Sequence, residues 1–268
     1  MKKTLFFLLL LPSLAYAKVY DCFLFFNEFE ILKIRLAELD EVVDHFVLVE
    51  SLETFQGNPK PLYFEENKEL FAPYLDKIIH VVVERHPEFD NPWPRERYQR
   101  DAIGRALKNC ERKDVILVSD CDEIPSAKFV KTVASQIKES PKKLFVARMP
   151  LFRYHLNRFA SYNWSGTVGS SFYLFAHFGA DRFRYLSHRK DKIIFLDEGW
   201  HFTSMGGYDA VYEKIHSFSH AECIPIIDEL FQMGIQEGTL LPIDNSFPKY
   251  IQDNQEYLES IGYIEPVD

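Results

Sequence analysis

The alternation of strand-like and helix-like segments over residues 19–139 is the sequence feature that most restricts the fold. Apolar runs rich in β-branched and aromatic residues predict strands at 19–26, 45–51, 77–83 and 114–120. Segments with apolar residues at helical spacing separate these runs and predict helices that begin at Asn27, Pro94 and Ala127. Strands that alternate with helices indicate a mostly parallel sheet with helices on both faces.

Two of these helices carry more specific signals at their ends. Asn27, with Glu30 three residues later, is close to a capping box and predicts the start of the first helix. Pro94 suits the first turn of the second helix, whose apolar face is expected to extend to about Cys110.

The pattern becomes mixed and more irregular after about Lys143. The segments 143–156 and 170–178 predict longer strands, whereas 209–220 and 223–234 predict helices. The chain contains no internal repeat and no composition shift typical of a linker. We therefore expect one continuous α/β domain over residues 18–268 with an irregular C-terminal half.

The first 17 residues have the order of a secretory signal peptide. Two lysines precede an apolar stretch from Leu5 to Leu14, and the small-residue sequence Ala15-Tyr16-Ala17 follows. The apolar stretch is shorter than the roughly 20 residues of a transmembrane helix. We expect export, to the periplasm or medium of a bacterium or to the secretory-pathway lumen of a eukaryote. An uncleaved leader is the alternative and would hold the protein at a membrane surface.

The charge balance restricts the partners of this protein. The formal net charge is −9 and the isoelectric point is near 5.5. A nucleic-acid partner would require a basic surface, so the sequence argues against one.

Four cysteines in an exported chain allow up to two disulfides with three connectivities. Cys22 and Cys121 lie inside apolar runs, so buried free thiols are an equally open interpretation.

The sequence "ILVSDCDEIPS" places three carboxylates directly after a predicted buried strand. Side chains two positions apart share one face of an extended strand, so Asp120 and Asp122 are expected to point together and Cys121 toward the core. Ligands bind outside the carboxyl ends of the strands in open α/β sheets. Paired carboxylates favour a divalent cation, and hard oxygen ligands select Mn²⁺ or Mg²⁺. The alternative is that these acids cap the next helix or lie in a solvated loop.

Cationic side chains near the predicted second helix suggest an anion site. Arg97 and Arg100 lie within the first two turns, where positive charge opposes the helix dipole. A diphosphate facing these guanidinium groups would explain that placement. Lys60, between two prolines, is a candidate of the same kind. A solvated basic face balanced by neighbouring acids is the alternative.

A third candidate is the segment 196–207, "LDEGWHFTSMGG". It brings together Asp197, Glu198, Trp200 and His201, which could supply a general base, a metal-binding imidazole and an aromatic wall for a sugar. The alternative for His201 is an ordinary histidine of a loop or core.

Several long blocks together resemble glycosyltransferase family 17, the β-1,4-mannosyl-glycoprotein 4-β-N-acetylglucosaminyltransferases. These blocks are "YDCFLFFNEFEILKIRLAELDEVVDHFVLVES", "TFQGNPKPLYF", "VILVSDCDEIPS", "GWHFTSMGG" and "KIHSFSHAE". The resemblance implies a GT-A-like, Rossmann-like fold and transfer of N-acetylglucosamine from UDP-N-acetylglucosamine with inversion. The implied acceptor is a glycoprotein N-glycan or a bacterial surface glycan. Phe202 stands where animal members have a cysteine.

The resemblance also implies roles for individual residues. Asp120 and Asp122 correspond to the D-x-D motif of the family. Asp122 would bind Mn²⁺ or Mg²⁺ most directly, and Asp120 would help through water or the donor's ribose. His201 would complete the metal shell. Glu198 or Asp197 would act as the general base, with Glu123 in reserve. Two alternative functions stay open: an exported carbohydrate-binding protein with a Ca²⁺ site, and a metal-dependent phosphohydrolase.

Overall fold

The structure is a computed structural model that describes residues 16–86, 88–188 and 193–267. The predicted signal peptide lies outside these ranges except for its last two residues. Among the helices of these ranges, none combines the length and the apolar content that crossing a membrane requires.

The described residues form strands and helices in the alternating order predicted for the first half of the chain. The strands are β1 Val19–Leu24, β2 His45–Ser51, β3 Ile78–Val83, β4 Val115–Asp120, β5 Glu123–Ile124, β6 Leu144–Arg153, β7 Arg158–Ser171, β8 Ile193–Asp197, β9 Trp200–Thr203 and β10 Thr239–Leu240. The α-helices are α1 Phe29–Leu39, α2 Tyr63–Asn67, α3 Pro92–Asp101, α4 Ala127–Glu139, α5 Phe172–Phe175, α6 Ala180–Tyr185, α7 Gly207–Ser217, α8 Ile227–Glu237, α9 Lys249–Asp253 and α10 Gln255–Ser260.

The strands form one mixed sheet with the order β3-β2-β1-β4-β7-β6-β9-β5. The first four strands are parallel, and Cys22 of β1 lies beside Val47 of β2 and Val118 of β4. The expectation of a parallel sheet is therefore confirmed for the first half of the chain. In the second half β7 runs antiparallel to both β4 and β6, which accounts for the less regular pattern there.

The core lies on both faces of the sheet because successive strand residues point to opposite sides. Phe23 and Leu117 pack with α1 and α4 on one face, whereas Cys22 and Val118 pack on the other. Within a parallel sheet, strands buried on both faces consist of continuous apolar runs, as β4 does. All four cysteines are free thiols, and Cys22 and Cys121 are buried.

The predicted capping box at Asn27 is wrong. Helix α1 begins at Phe29, and the carboxylate of Glu28 accepts hydrogen bonds from the backbone N–H groups of Phe26 and Asn27, both 3.2 Å long. The side chain of Asn27 instead donates to Glu213 on α7, 3.0 Å away. A distant tertiary contact thus replaces the local cap.

Two other predicted elements are also corrected. Helix α3 begins at Pro92, because the side chain of Asn91 accepts a hydrogen bond from the Trp93 N–H, and it ends at Asp101 rather than near Cys110. The strand predicted at 170–178 ends at Ser171, whose hydroxyl accepts a bond from the Leu174 N–H and caps the short helix α5.

Candidate functional site

Two sequence motifs that are about 80 residues apart in the chain lie side by side at the carboxyl end of β4. After Asp120 the chain turns and forms β5, which pairs antiparallel with β9 so that Glu123 lies beside His201. The Phe202 N–H donates to the Asp122 carbonyl over 2.9 Å. The "SDCDE" and "GWHF" segments, singled out separately from the sequence, are therefore parts of one site.

Arg35 of α1 fixes the shape of the turn after β4. Its guanidinium is fully buried and pairs with Asp21 of β1 at 2.6 Å. Nη1 donates to the carbonyl groups of residues 120, 121 and 123 over 3.0–3.1 Å. Buried carbonyls need such partners, so Arg35 holds the turn that presents the acids. Arg35 was not predicted as a site residue, although a charged residue inside the apolar helix "EILKIRLAEL" was a usable signal.

A cavity of about 340 Å³ opens at the carboxyl end of β4, and we call it the β4 cavity. Its lining combines charged side chains with aromatic, amide and hydroxyl groups. The lining residues are Glu96, Arg100, Asp120, Asn163, Trp164, Ser165, Arg184, Tyr185 and His188. The location agrees with the rule that ligands bind outside the carboxyl ends of parallel strands.

Asp120 faces this cavity together with cations. Arg100 donates from Nη1 to Asp120 Oδ1 and from Nη2 to Glu96 Oε1, each over 2.6 Å. Burial raises the pKa of the Asp120 carboxyl, but Arg100 and Arg184 outweigh burial and hold it below its ordinary value. The Asp120 side chain is 41% exposed, so this ionised carboxylate can still bind a ligand in the cavity.

Asp122 lies deeper and has a different partner. The ammonium group of Lys214, on α7, is 2.7 Å from Asp122 Oδ2, and His201 Nε2 is 3.5 Å from Oδ1. Burial alone would raise the pKa of Asp122, yet Lys214 and His201 hold it well below its usual range. Lys214 also lies 3.7 Å from Glu28. Lys214 was not predicted as a site residue, although the block "KIHSFSHAE" contains it.

The side chains around Asp120 have the chemistry of a divalent-cation site. Two carboxylates and an imidazole suit Mn²⁺ or Mg²⁺, and His201 Nδ1 is buried without a hydrogen-bond partner among the described residues. Asp120 is the accessible ligand, whereas Asp122 is shared with the Lys214 ammonium. In the described ranges no group of three or more His, Cys, Asp and Glu side chains is already arranged around one point. The residue types suit a divalent cation, and Asp120 is the carboxylate accessible to it.

Glu123 is fully buried and connects three groups of the β4 cavity. It accepts hydrogen bonds from Trp164 Nε1 over 2.7 Å and from the Asp120 N–H over 3.1 Å, and it pairs with Arg184. Burial raises the pKa of the Glu123 carboxyl even though Arg184 opposes the shift. Trp164 and Arg184 come from the irregular second half of the chain, where the sequence carried no motif that marked them.

The two acids predicted as general base lie outside the lining of the β4 cavity. Asp197 pairs with Arg148, with Oδ1 2.7 Å from Nε. Glu198 accepts a 2.8 Å hydrogen bond from the Ser126 hydroxyl, near the start of α4, and pairs with Lys128.

Of the cations predicted to bind the donor, only Arg100 lines the β4 cavity among the described residues. Arg97 is exposed on α3. Lys60 is 3.6 Å from the buried carboxylate of Glu50 and lies over the ring of Tyr63. Burial lowers the pKa of Lys60 while Glu50 raises it, and the net direction is downward.

The ion pair of Asp122 predicts how stability depends on pH. A carboxyl whose folded pKa is lowered stabilises the fold above its unfolded pKa, about 3.9, and this contribution is lost as pH falls through the folded pKa. We expect Asp122→Asn to lower the free energy of unfolding by about 2 kcal/mol at pH 7, because Lys214 loses its nearest counter-ion. The difference should shrink below about pH 4.

Urea unfolding of both proteins at pH 7, 5 and 3 measures this difference. A difference that stays constant over this pH range would show that the Asp122 carboxylate does not carry it.

The fold and the β4 cavity define an α/β protein with two guanidinium groups and a carboxylate at the ligand-binding edge of its sheet. A family model described as Glycosyltransferase family 17 matches residues 12–240. The chain belongs to glycosyltransferase family 17, as the sequence blocks predicted. The predicted α/β fold, with a parallel first half of the sheet and helices on both faces, is likewise confirmed.

The matched relatives are beta-1,4-mannosyl-glycoprotein 4-beta-N-acetylglucosaminyltransferases. Over 109 residues the chain is 35% identical to those of Homo sapiens and Rattus norvegicus and 34% identical to that of Mus musculus. Each match covers 37% of this chain and 20% of the relative. The aligned region thus spans about a fifth of the length of the relatives.

Solved structures of similar proteins include S. aureus TarS 1–349, at 12% identity and a TM-score of 0.43, covering 84% of this chain and 67% of that one. The TarS complex with UDP-GlcNAc gives 13% identity and a TM-score of 0.44, covering 84% and 68%. A 4-diphosphocytidyl-2C-methyl-D-erythritol synthase gives 13% identity and a TM-score of 0.41, covering 82% and 100%.

Proposed function

We propose that this protein transfers N-acetylglucosamine from UDP-N-acetylglucosamine to a glycan acceptor with inversion and with a divalent metal. The observation that carries the proposal is the convergence of Asp120, Arg100 and Arg184 on the β4 cavity. Family membership and the names of the similar transferases support the choice of sugar. The acceptor would be a glycoprotein N-glycan or a bacterial surface glycan.

In this proposal the donor diphosphate binds to the cationic side chains of the β4 cavity. Arg100 and Arg184 present guanidinium groups there, and guanidinium matches phosphate oxygens in geometry and charge. Asp120, Asp122 and His201 would hold Mn²⁺ or Mg²⁺, which when bound neutralises negative charge on the departing UDP. Lys214 supplies a further positive charge behind Asp122.

An inverting transfer also needs a group that takes the proton of the acceptor hydroxyl. Among the described lining residues, Glu96 and Asp120 carry carboxylates, and Glu96 also accepts a hydrogen bond from the Ser219 hydroxyl. Glu96 is therefore the first general base to test. Asp197, Glu198 and Glu123 stay predictions for the same role.

We further propose that the leader at residues 1–17 directs export of the enzyme, with or without attachment to a membrane surface. Export would bring the enzyme to the compartment that contains the glycan acceptors.

Arg184→Gln tests the donor site, because glutamine keeps a hydrogen-bond donor for Glu123 and removes the cation. We expect the Kd for UDP, measured by calorimetry with Mn²⁺, to rise about tenfold or more, as for loss of a charged hydrogen bond. Arg182→Gln is the matched control, since Arg182 is an exposed residue of the same helix, and it should bind UDP like the native chain.

The products separate the three candidate functions. UDP release from UDP-N-acetylglucosamine is expected for a transferase, and phosphate release would indicate a phosphohydrolase. Glycan binding without any affinity for UDP plus Mn²⁺ would indicate a carbohydrate-binding protein and contradict the proposal.

A further inference from the structure

Two aromatic side chains lie exposed in the lining of the β4 cavity, and we call them the aromatic rim. Trp164 of β7 is 41% exposed and Tyr185 of α6 is 53% exposed. Large aromatic surfaces left in water at a concave site are typical of ligand contacts.

Trp164 is held in a fixed orientation. Its indole N–H donates to the buried Glu123 carboxylate over 2.7 Å. One side of the indole packs against His201, with ring centroids 4.5 Å apart. The polar atom of the indole is therefore satisfied inside the protein, and the part that remains exposed is apolar ring. A rigid, exposed ring loses little conformational entropy when a ligand covers it.

The partial charges on the aromatic rim favour a pyranose as the ligand. The face of an aromatic ring carries partial negative charge, and a carboxylate bound to the indole N–H increases it. The C–H groups on the face of a pyranose carry partial positive charge and suit this surface. The hydroxyl groups around the same sugar can bond to polar neighbours on the cavity wall, where Asn163 and Ser165 lie.

We infer that the aromatic rim is the acceptor subsite and binds a pyranose ring of the acceptor glycan by stacking on Trp164 and Tyr185. The inference rests on the proposed function, which places the donor phosphates at Arg100 and Arg184 in the same cavity. Trp164 Nε1 and Arg184 Nη2 donate to the same oxygen of Glu123, so a sugar stacked on the indole lies beside the proposed phosphate site.

Saturation-transfer NMR with methyl β-D-mannopyranoside and methyl N-acetyl-β-D-glucosaminide tests the rim. The full-length protein is measured with UDP and Mn²⁺ present and again without them. We expect Trp164→Ala to weaken binding of at least one glycoside about tenfold, the size of one aromatic contact. Trp164→Phe should retain part of the affinity. Tyr162→Ala is the matched control, because Tyr162 is 72% exposed two residues away and lies outside the cavity lining.

Calorimetry with UDP on the same variants shows whether the indole stacks on the acceptor sugar or on the uracil ring of UDP. The Kd for UDP should change less than about twofold in Trp164→Ala. A large loss of UDP affinity would show that the indole stacks on the uracil ring and would overturn the inference. Unchanged glycoside binding in Trp164→Ala, or no glycoside binding by the native chain, would overturn it too. Failure of UDP to bind the native chain would instead contradict the proposed function.

Discussion

Replacement of Arg35 by methionine is expected to lower the free energy of unfolding by about 3–5 kcal/mol, the usual effect of removing one partner of a buried ion pair. The variant leaves the fully buried Asp21 carboxylate without its cation. It also removes the donor that satisfies three carbonyl groups of the turn after β4. Urea unfolding at pH 7, followed by circular dichroism, measures the change.

Two further variants test whether the loss of stability comes from the buried guanidinium. Arg35→Lys keeps the charge but not the planar fork, so its stability should lie between those of the methionine variant and the native chain. Arg97→Met removes an exposed arginine and should change stability by less than about 0.5 kcal/mol. If the two methionine variants proved equally stable, the assignment of the turn to Arg35 would be wrong.

Replacement of Asp120 by asparagine is expected to lower the rate of UDP release from UDP-N-acetylglucosamine by about 10²–10³-fold, the range seen when one charge-stabilising group is removed from an active site. Asparagine is nearly isosteric, but it cannot supply the negative charge that holds a metal ion. It also removes the charge pairing with Arg100. A coupled assay of UDP release with Mn²⁺ present measures the rate.

The free energy of unfolding of Asp120→Asn distinguishes a loss of function from a folding defect. Asp120 is partly exposed, and Arg100 keeps Glu96 as a partner, so we expect a stability change of about 1 kcal/mol or less. Asp253→Asn, which removes an exposed acid of a surface pair with Lys249, should leave the rate unchanged. Full turnover in Asp120→Asn would rule out a metal held by this carboxylate.

The two aspartates of the motif have unequal surroundings, which their spacing in the sequence did not predict. Asp120 reaches the β4 cavity and pairs with Arg100 of α3, whereas Asp122 is buried against Lys214 of α7. Each partner comes from a different distant helix. The same two-residue spacing can therefore give one accessible ligand and one buried counter-ion, depending on the elements that pack around the turn.

Residue patterns were sufficient to predict the layers in the first half of the fold and the position of the site along the chain. Apolar runs and helical spacing predict β1 to β4 and the helices α1, α3 and α4, because burial restricts the residue types at these positions. The short helix α2 was not predicted. The acids at the end of β4 were found for the same reason, since polar residues directly after a buried strand mark a sheet edge.

The identity of the side chains that meet at the site depends on contacts between distant parts of the chain. Arg35, Lys214, Trp164 and Arg184 converge on the site from four separate elements. Tertiary structure also moved the start of α1, because the side chain of Asn27 bonds to α7 rather than capping its own helix. Contacts between residues far apart in the chain leave no periodic signal in a single sequence, so the composition of the site had to come from packing.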